Sequence, residues 1–187
     1  EIIRREKQPY RAPIREAFGS LESEGLLQKV PGVGIFCKAY TVDEIEEIIE
    51  IRGVLEGLAA RRAAERITEP QKMQLREIAS KLSKSQHFES DQLYLEEHIR
   101  FHSCMTRLFQ RHNLVKLLNR NHIIQQVLCN ISASIWPIEP HDHQTIAEAI
   151  CSEDPNWAEE QVKKHIAPTY KQRLQQLHEK YGSNPII

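Results

Sequence analysis

A chain of 187 residues with 27% charged and 40% hydrophobic side chains, and only 7 glycines and 9 prolines, can bury a core and is neither disordered nor collagen-like. Its net charge of −1 provides no global field toward nucleic acid or an anionic membrane, and no run approaches the roughly 20 apolar residues of a membrane span. The opening Glu1-Ile-Ile-Arg-Arg-Glu6 is not a secretory signal, so a cytoplasmic location is expected. Cys37, Cys104, Cys129 and Cys151 are irregularly spaced without a C-x-x-C, which argues against a zinc ribbon or a disulfide framework. Reduced, buried thiols are predicted.

The near-neutral sum hides an uneven distribution. Residues 1–38 carry seven Lys/Arg against five Glu, and four of the seven glycines (Gly19, Gly25, Gly32, Gly34) fall in the first 34 residues. Two units are therefore expected, residues 1–40 and residues 41–187.

In the first unit Pro13 suits an opening helical turn, and Ile14, Phe18 and Leu21 repeat at i, i+4, i+7 until Gly25 stops the run. Leu26–Val30 and Ile35–Lys38 read as two short strands around Pro31-Gly-Val-Gly34. Helix then hairpin is the second half of a winged helix-turn-helix. In such a unit Arg11 and Arg15, four apart at the helix start, would meet base edges and phosphates in the major groove. The wing tip, Gly32 to Gly34, would follow the neighbouring groove.

Beyond residue 40 the pattern is helical throughout. Thr41-Val-Asp-Glu44 is a capping box, followed by Ile45, Ile48, Ile49, Ile51, Val54, Leu55 and Leu58 up to about Arg66. Thr68-Glu-Pro-Gln71 opens a second helix with Met73, Leu75, Ile78 and Leu82 as its apolar stripe. Ser90 or Asp91 starts a third, ending near Phe109. Further helices are predicted from about Asn113 to Ile135, Asp142 to Cys151 and Pro155 to Tyr181, with breaks at Trp136-Pro137 and Asp154-Pro155. An antiparallel helix bundle follows.

Histidines supply its candidate chemistry. His98 and His102, four apart, project from one helix face and make half of a metal site, while His143 and His165 lie on two later helices. Arg52 is expensive to bury without an anion. It has two readings, an internal salt bridge with Glu56 or a clamp on a bound carboxylate.

These segments resemble a known family. Tyr10-Arg-Ala-Pro-Ile-Arg-Glu-Ala-Phe18, Leu21-Glu-Ser-Glu-Gly-Leu-Leu27 and Pro31-Gly-Val-Gly-Ile-Phe36 are similar to the DNA-binding segment of GntR-family transcription regulators. The resemblance implies a DNA-contacting set of Arg11, Ala12, Arg15, Gly32 and Gly34. Tyr10 and Ala12 depart from the usual Ser and Thr, whose hydroxyls help hold phosphate. The family's winged helix has two further helices before the recognition helix, which the residues preceding it here cannot hold, so an incomplete winged helix is expected. Arg52-Gly-Val-Leu-Glu56, His98-Ile-Arg-Phe-His102, and Asp142-His-Gln-Thr-Ile-Ala-Glu-Ala-Ile150 with Asp154, Ala158 and His165 resemble the FCD effector-binding domain found in one GntR branch. That likeness implies a divalent metal beneath an effector pocket, held by His98, His102, His143 and His165. His98 stands where the family pattern has Asp. Four neutral imidazoles favour Zn²⁺ or Ni²⁺ and leave the cation's charge for an acidic effector to balance. Glu97 and His141 are rival ligands, although Glu97 points about 100° away round the helix.

An enzymatic reading, a metal-dependent hydrolase, finds no H-E-x-x-H, no E-x-x-H and no phosphate loop in its support. A non-catalytic structural module is the other alternative. The expectation is a mostly α protein, an incomplete winged helix-turn-helix followed by an all-α antiparallel bundle. It would act as a homodimeric, ligand-responsive transcription regulator whose partners are operator DNA, a transition metal and a small carboxylate, with Arg52 contacting that carboxylate.

Overall fold

A computed structural model describes residues 11–83, 91–108, 113–119 and 142–185. Residues up to Tyr40 form one compact unit and residues from Thr41 a second.

In the first unit helix α1 spans Arg11–Ser23, with Pro13 in its first turn and Ile14, Phe18 and Leu21 on its half-buried face. Gly25, at φ 81°, ends it. The Leu26 amide returns to the Leu21 carbonyl at 2.9 Å and the Gly25 amide to Glu22 at 3.0 Å, satisfying carbonyls that the helix end leaves bare. Strands β1 (Leu27–Val30) and β2 (Gly34–Cys37) pair antiparallel with Leu27 opposite Cys37 and Val30 opposite Gly34. The turn between them closes through the Val33 amide on the Val30 carbonyl, with Gly32 in the left-handed region at φ 75°. All four residues of β2 are exposed, Cys37 included. This corrects the expectation of four buried cysteines, because a two-stranded ribbon has no second layer to bury it. Cys104 is half-buried and Cys151 buried, as predicted for the latter, and Cys129 lies outside the described residues.

Among the described residues the second unit consists of helices and the short connections between them. Helix α2 (Val42–Ala64) starts at the predicted capping box, with the Glu44 amide on Thr41 Oγ1 at 3.2 Å and the Thr41 amide on Glu44 Oε2 at 3.0 Å. Helices α3 (Glu69–Ser83), α4 (Asp91–Leu108), α5 (residues 113–119), α6 (His143–Cys151) and α7 (Pro155–Tyr181) follow. The remainder of the helix expected to reach Ile135, and the Trp136-Pro137 break, lie outside the described residues. Asp142 caps α6 and Asp154 caps α7, the latter accepting from the Asn156 and Trp157 amides at 3.0 Å each. Between them Glu153 adopts φ 62°, a conformation that costs a non-glycine about 1–2 kcal/mol. Its carboxylate is held by Lys72 Nζ of α3 at 2.6 Å, which fixes the corner joining α6 to α7.

The predicted apolar stripe of α3 is revised, and the buried face of α2 is not its most apolar one. On α3 Leu75, Ile78 and Leu82 are buried, but Met73 is exposed and Ala79 takes the core position. On α2 Ile45 and Ile49 are buried, whereas Ile51, Val54 and Leu58 are exposed on the other side of the helix. At that level the inward face carries Arg52 and Glu56 with the small residues Gly53, Gly57, Ala59 and Ala60. The glycines let α7 approach closely. A Cβ on Gly57 would stand 3.2 Å from the Lys163 side chain, and one on Gly53 would stand 3.8 Å from Ile166 Cγ2. Phe101, Met105, Ile146, Ile150, Val162 and Ile166 fill the interior around them. Each such side chain contributes about 1.5–3 kcal/mol by burial.

Candidate metal centre

Three helices deliver the four histidines predicted for the centre. His98 and His102 lie one turn apart on α4, His143 opens α6, and His165 sits midway along α7. Their imidazoles converge. Ring centroids are 4.6 Å apart for His98 and His102, 5.0 Å for His98 and His143, and 4.6 Å for His143 and His165. One ligand atom from each residue lies within 4.8 Å of all the others. His98, His102 and His143 are buried and His165 is half-buried, so none is the solvated surface histidine that each could have been in isolation.

Local sequence explains the convergence. The i, i+4 spacing stacks His98 over His102, and Asp142 anchors the first turn of α6 by accepting from the Thr145 amide at 3.0 Å, which sets His143 at the helix start. Phe101, fully buried, stands edge-on to His102 at 5.5 Å and to His143 at 5.0 Å, holding both rings in a dry wall. Burial pushes the His98 pKa well below its ordinary value, and the neighbouring His102, His143, Arg52 and His165 push it in the same direction. His98 is therefore neutral at physiological pH, the state a ligand needs.

Behind the cluster lies a buried chain of charge. Arg52 Nε donates to Glu56 Oε1 at 2.6 Å, and Glu56 Oε2 lies 2.6 Å from His102 Nδ1. Of the two readings of Arg52, the structure shows the salt bridge with Glu56. Glu56 itself was anticipated only as that partner. Its reach to His102 depends on how α2 lies against α4, information absent from the spacing of either helix alone. Glu97 is outside the cluster. It pairs with Arg100 at 3.2 Å on the outer face of α4, as its 100° offset requires. His141 lies outside the described residues.

The residues present fit a transition metal by their chemistry. Zn²⁺ takes imidazole nitrogen at about 2.0–2.1 Å in tetrahedral sites, and the four imidazoles drawn together here, three buried and one half-buried, are a nitrogen-only donor set. The buried Nε2 atoms of His102 and His143 form no hydrogen bond among the described residues. A metal held there would supply a concentrated positive charge and a Lewis-acidic docking point for an anionic group.

The DNA-contacting residues named from sequence lie in the first unit. Ala12 and Arg15 are exposed on the first turns of α1, Arg11 is the first residue of that helix, and Gly32 and Gly34 flank the hairpin tip.

Residues 47–168 match the FCD domain model. The chain belongs to the FCD domain family. This FCD chain is 25% identical over 157 residues to a probable D-xylose utilization operon transcriptional repressor of Paenarthrobacter nicotinovorans, covering 83% of the chain and 69% of that relative. It is 30% identical over 107 residues to the Nta operon transcriptional regulator of Aminobacter aminovorans, covering 57% of the chain and half of that relative. Among solved structures, E. coli McbR/YncC superposes with a TM-score of 0.71 at 18% identity, over 94% of this chain and 88% of its own, a likeness of fold. Both of these curated relatives are named as regulators of transcription. No described helix is long and apolar enough to cross a membrane.

Proposed function

We propose that this FCD regulator is a metal-dependent acid sensor. Residues 1–40 form the DNA-reading unit and residues 41–187 bind a divalent transition metal, Zn²⁺ or Ni²⁺, together with a small carboxylate effector. The observation that carries the reading is the convergence of His98, His102, His143 and His165 within one buried cluster. Four neutral ligands leave the cation's charge uncompensated, and an anionic effector is the natural counter-charge. Arg52, which donates to Glu56 through Nε, is the residue assigned to the effector carboxylate in this reading.

DNA binding would use Arg11 and Arg15 on the first turns of α1 for groove and phosphate contacts, Ala12 at the same surface, and Gly32 and Gly34 at the wing tip. A palindromic operator needs two such units with half-sites about 34–36 Å apart, which calls for a homodimer. The exposed apolar row Ile51, Val54 and Leu58 on α2 supports a second copy as partner. Effector binding need change operator affinity by only about 1–3 kcal/mol, a factor of roughly 5–150, to switch transcription.

Calorimetric titration of a panel of small carboxylic acids into Zn²⁺-loaded and metal-stripped protein tests this reading. Acid binding confined to the loaded protein, and weakened in Arg52→Lys, is expected. Equal affinity for the stripped protein would remove the metal from the sensing role.

A further inference from the structure

Glu56 reaches across two helices. From α2 its Oε1 accepts from Arg52 Nε one turn earlier, while its Oε2 meets His102 Nδ1 on α4, both at 2.6 Å. All three side chains are at most 2% exposed. Resting on the metal reading above, we propose that Glu56 is a positioning residue that selects Nε2 of His102 as the metal-binding atom, with Arg52 holding Glu56 as an anion.

The chemistry is compelled by donor and acceptor counts. A carboxylate paired with a guanidinium is ionised and can only accept, so the contact at 2.6 Å requires a proton on His102 Nδ1. In a neutral imidazole the lone pair then resides on Nε2. Phe101 standing edge-on at 5.5 Å limits rotation of the ring, so tautomer and orientation are set together. An isolated buried carboxylate would be too costly to keep charged, and Arg52 offsets that cost. The anion also makes His102 a stronger donor. Carboxylates placed behind a ligating histidine act in this way in metal sites generally. Here the effect matters more, because His98 brings no charge of its own and the four ligands are all neutral. A simple helix-stabilising pair at i, i+4 would be complete with Arg52 and Glu56 Oε1. The second oxygen, aimed at a different helix, has a separate task.

The test uses ¹⁵N-labelled full-length chain, metal-free, with long-range ¹H–¹⁵N spectra of the histidine rings. Zn²⁺ affinity is measured alongside by competition with a chromophoric chelator, for wild type, Glu56→Gln and Glu56→Ala, each checked for folding by circular dichroism. Wild-type His102 is expected as the Nδ1–H tautomer. Glu56→Ala should lose that preference and bind Zn²⁺ about 10–100-fold more weakly. Glu56→Gln, whose carbonyl oxygen still accepts, should keep the tautomer and lose less affinity. It also decides the matter if the alanine variant does not fold. Finding wild-type His102 as the Nε2–H tautomer, or Zn²⁺ affinity within twofold of wild type in a folded Glu56→Ala, overturns the proposal alone. A wild-type protein that binds no Zn²⁺ overturns the metal reading and the proposal with it.

Discussion

The two units treat apolar and polar side chains in opposite ways. In the hairpin Val33 is 71% exposed and Phe36 45% exposed, while in the bundle Arg52, Glu56, His102 and His143 are at most 2% exposed. Exposed apolar groups on a small unit are ordinary, because a helix and two strands offer little interior. Buried polar groups are not, since each costs free energy unless it is matched. The bundle matches them with one another, through Arg52 on Glu56, Glu56 on His102, and His102 among three further imidazoles. The contrast teaches where each kind of chemistry resides, surface contact in the first unit and a preorganised interior site in the second.

The comparison can be broken most sharply at its charged centre. Arg52→Ala leaves Glu56 buried without its cation and should lower unfolding free energy by about 3–5 kcal/mol, read as a shift in the guanidinium chloride midpoint. A midpoint unchanged by this substitution would mean the pair is not buried in solution. A matched pair of truncations sharpens the same contrast. Phe101→Ala, at a fully buried site against two histidine rings, should cost about 3–5 kcal/mol. Phe36→Ala, on the exposed strand, should cost less than about 1 kcal/mol. Equal losses would show that the hairpin packs into a core of its own.

A smaller effect is expected at the cap of α6. Asp142→Ala should cost about 1 kcal/mol. The hydroxyl and amide of Thr145 hold the Asp142 carboxyl below its ordinary pKa, so its contribution is complete above the usual aspartate range and is lost as pH falls through that range to the lower folded value. Stability curves of wild type and Asp142→Ala should therefore converge in acid and separate toward neutrality. Smallest in stability is Arg15→Ala, within about 0.5 kcal/mol because the residue is exposed. It should instead flatten the salt dependence of binding to duplex DNA by about one unit of slope. An unchanged slope would remove Arg15 from the phosphate-contacting set.

Much of this architecture is legible from local signals. The Thr41 capping box, the Gly25 stop and the Gly-rich hairpin turn act within a few residues of themselves, and the structure places each as expected. The four histidines were legible in part from spacing and in part from family likeness, since His143 and His165 meet His98 only because α4, α6 and α7 each pack against α2. Long-range packing was not legible in the same way. The apolar residues that mark α2 as a helix do not mark its buried face: Ile51, Val54 and Leu58 are exposed, and the inward face carries Arg52 and Glu56. The bond from Glu56 to His102 spans 46 residues, and no periodicity within either helix encodes it.

The claim that the four histidines form a metal centre is tested most directly by elemental mass spectrometry on untagged protein purified without chelator, wild type beside His102→Ala. The account predicts about one equivalent of a transition metal per chain in the wild type and its loss from a folded His102→Ala. Wild-type protein that arrives metal-free and takes up neither Zn²⁺ nor Ni²⁺ on addition would contradict it.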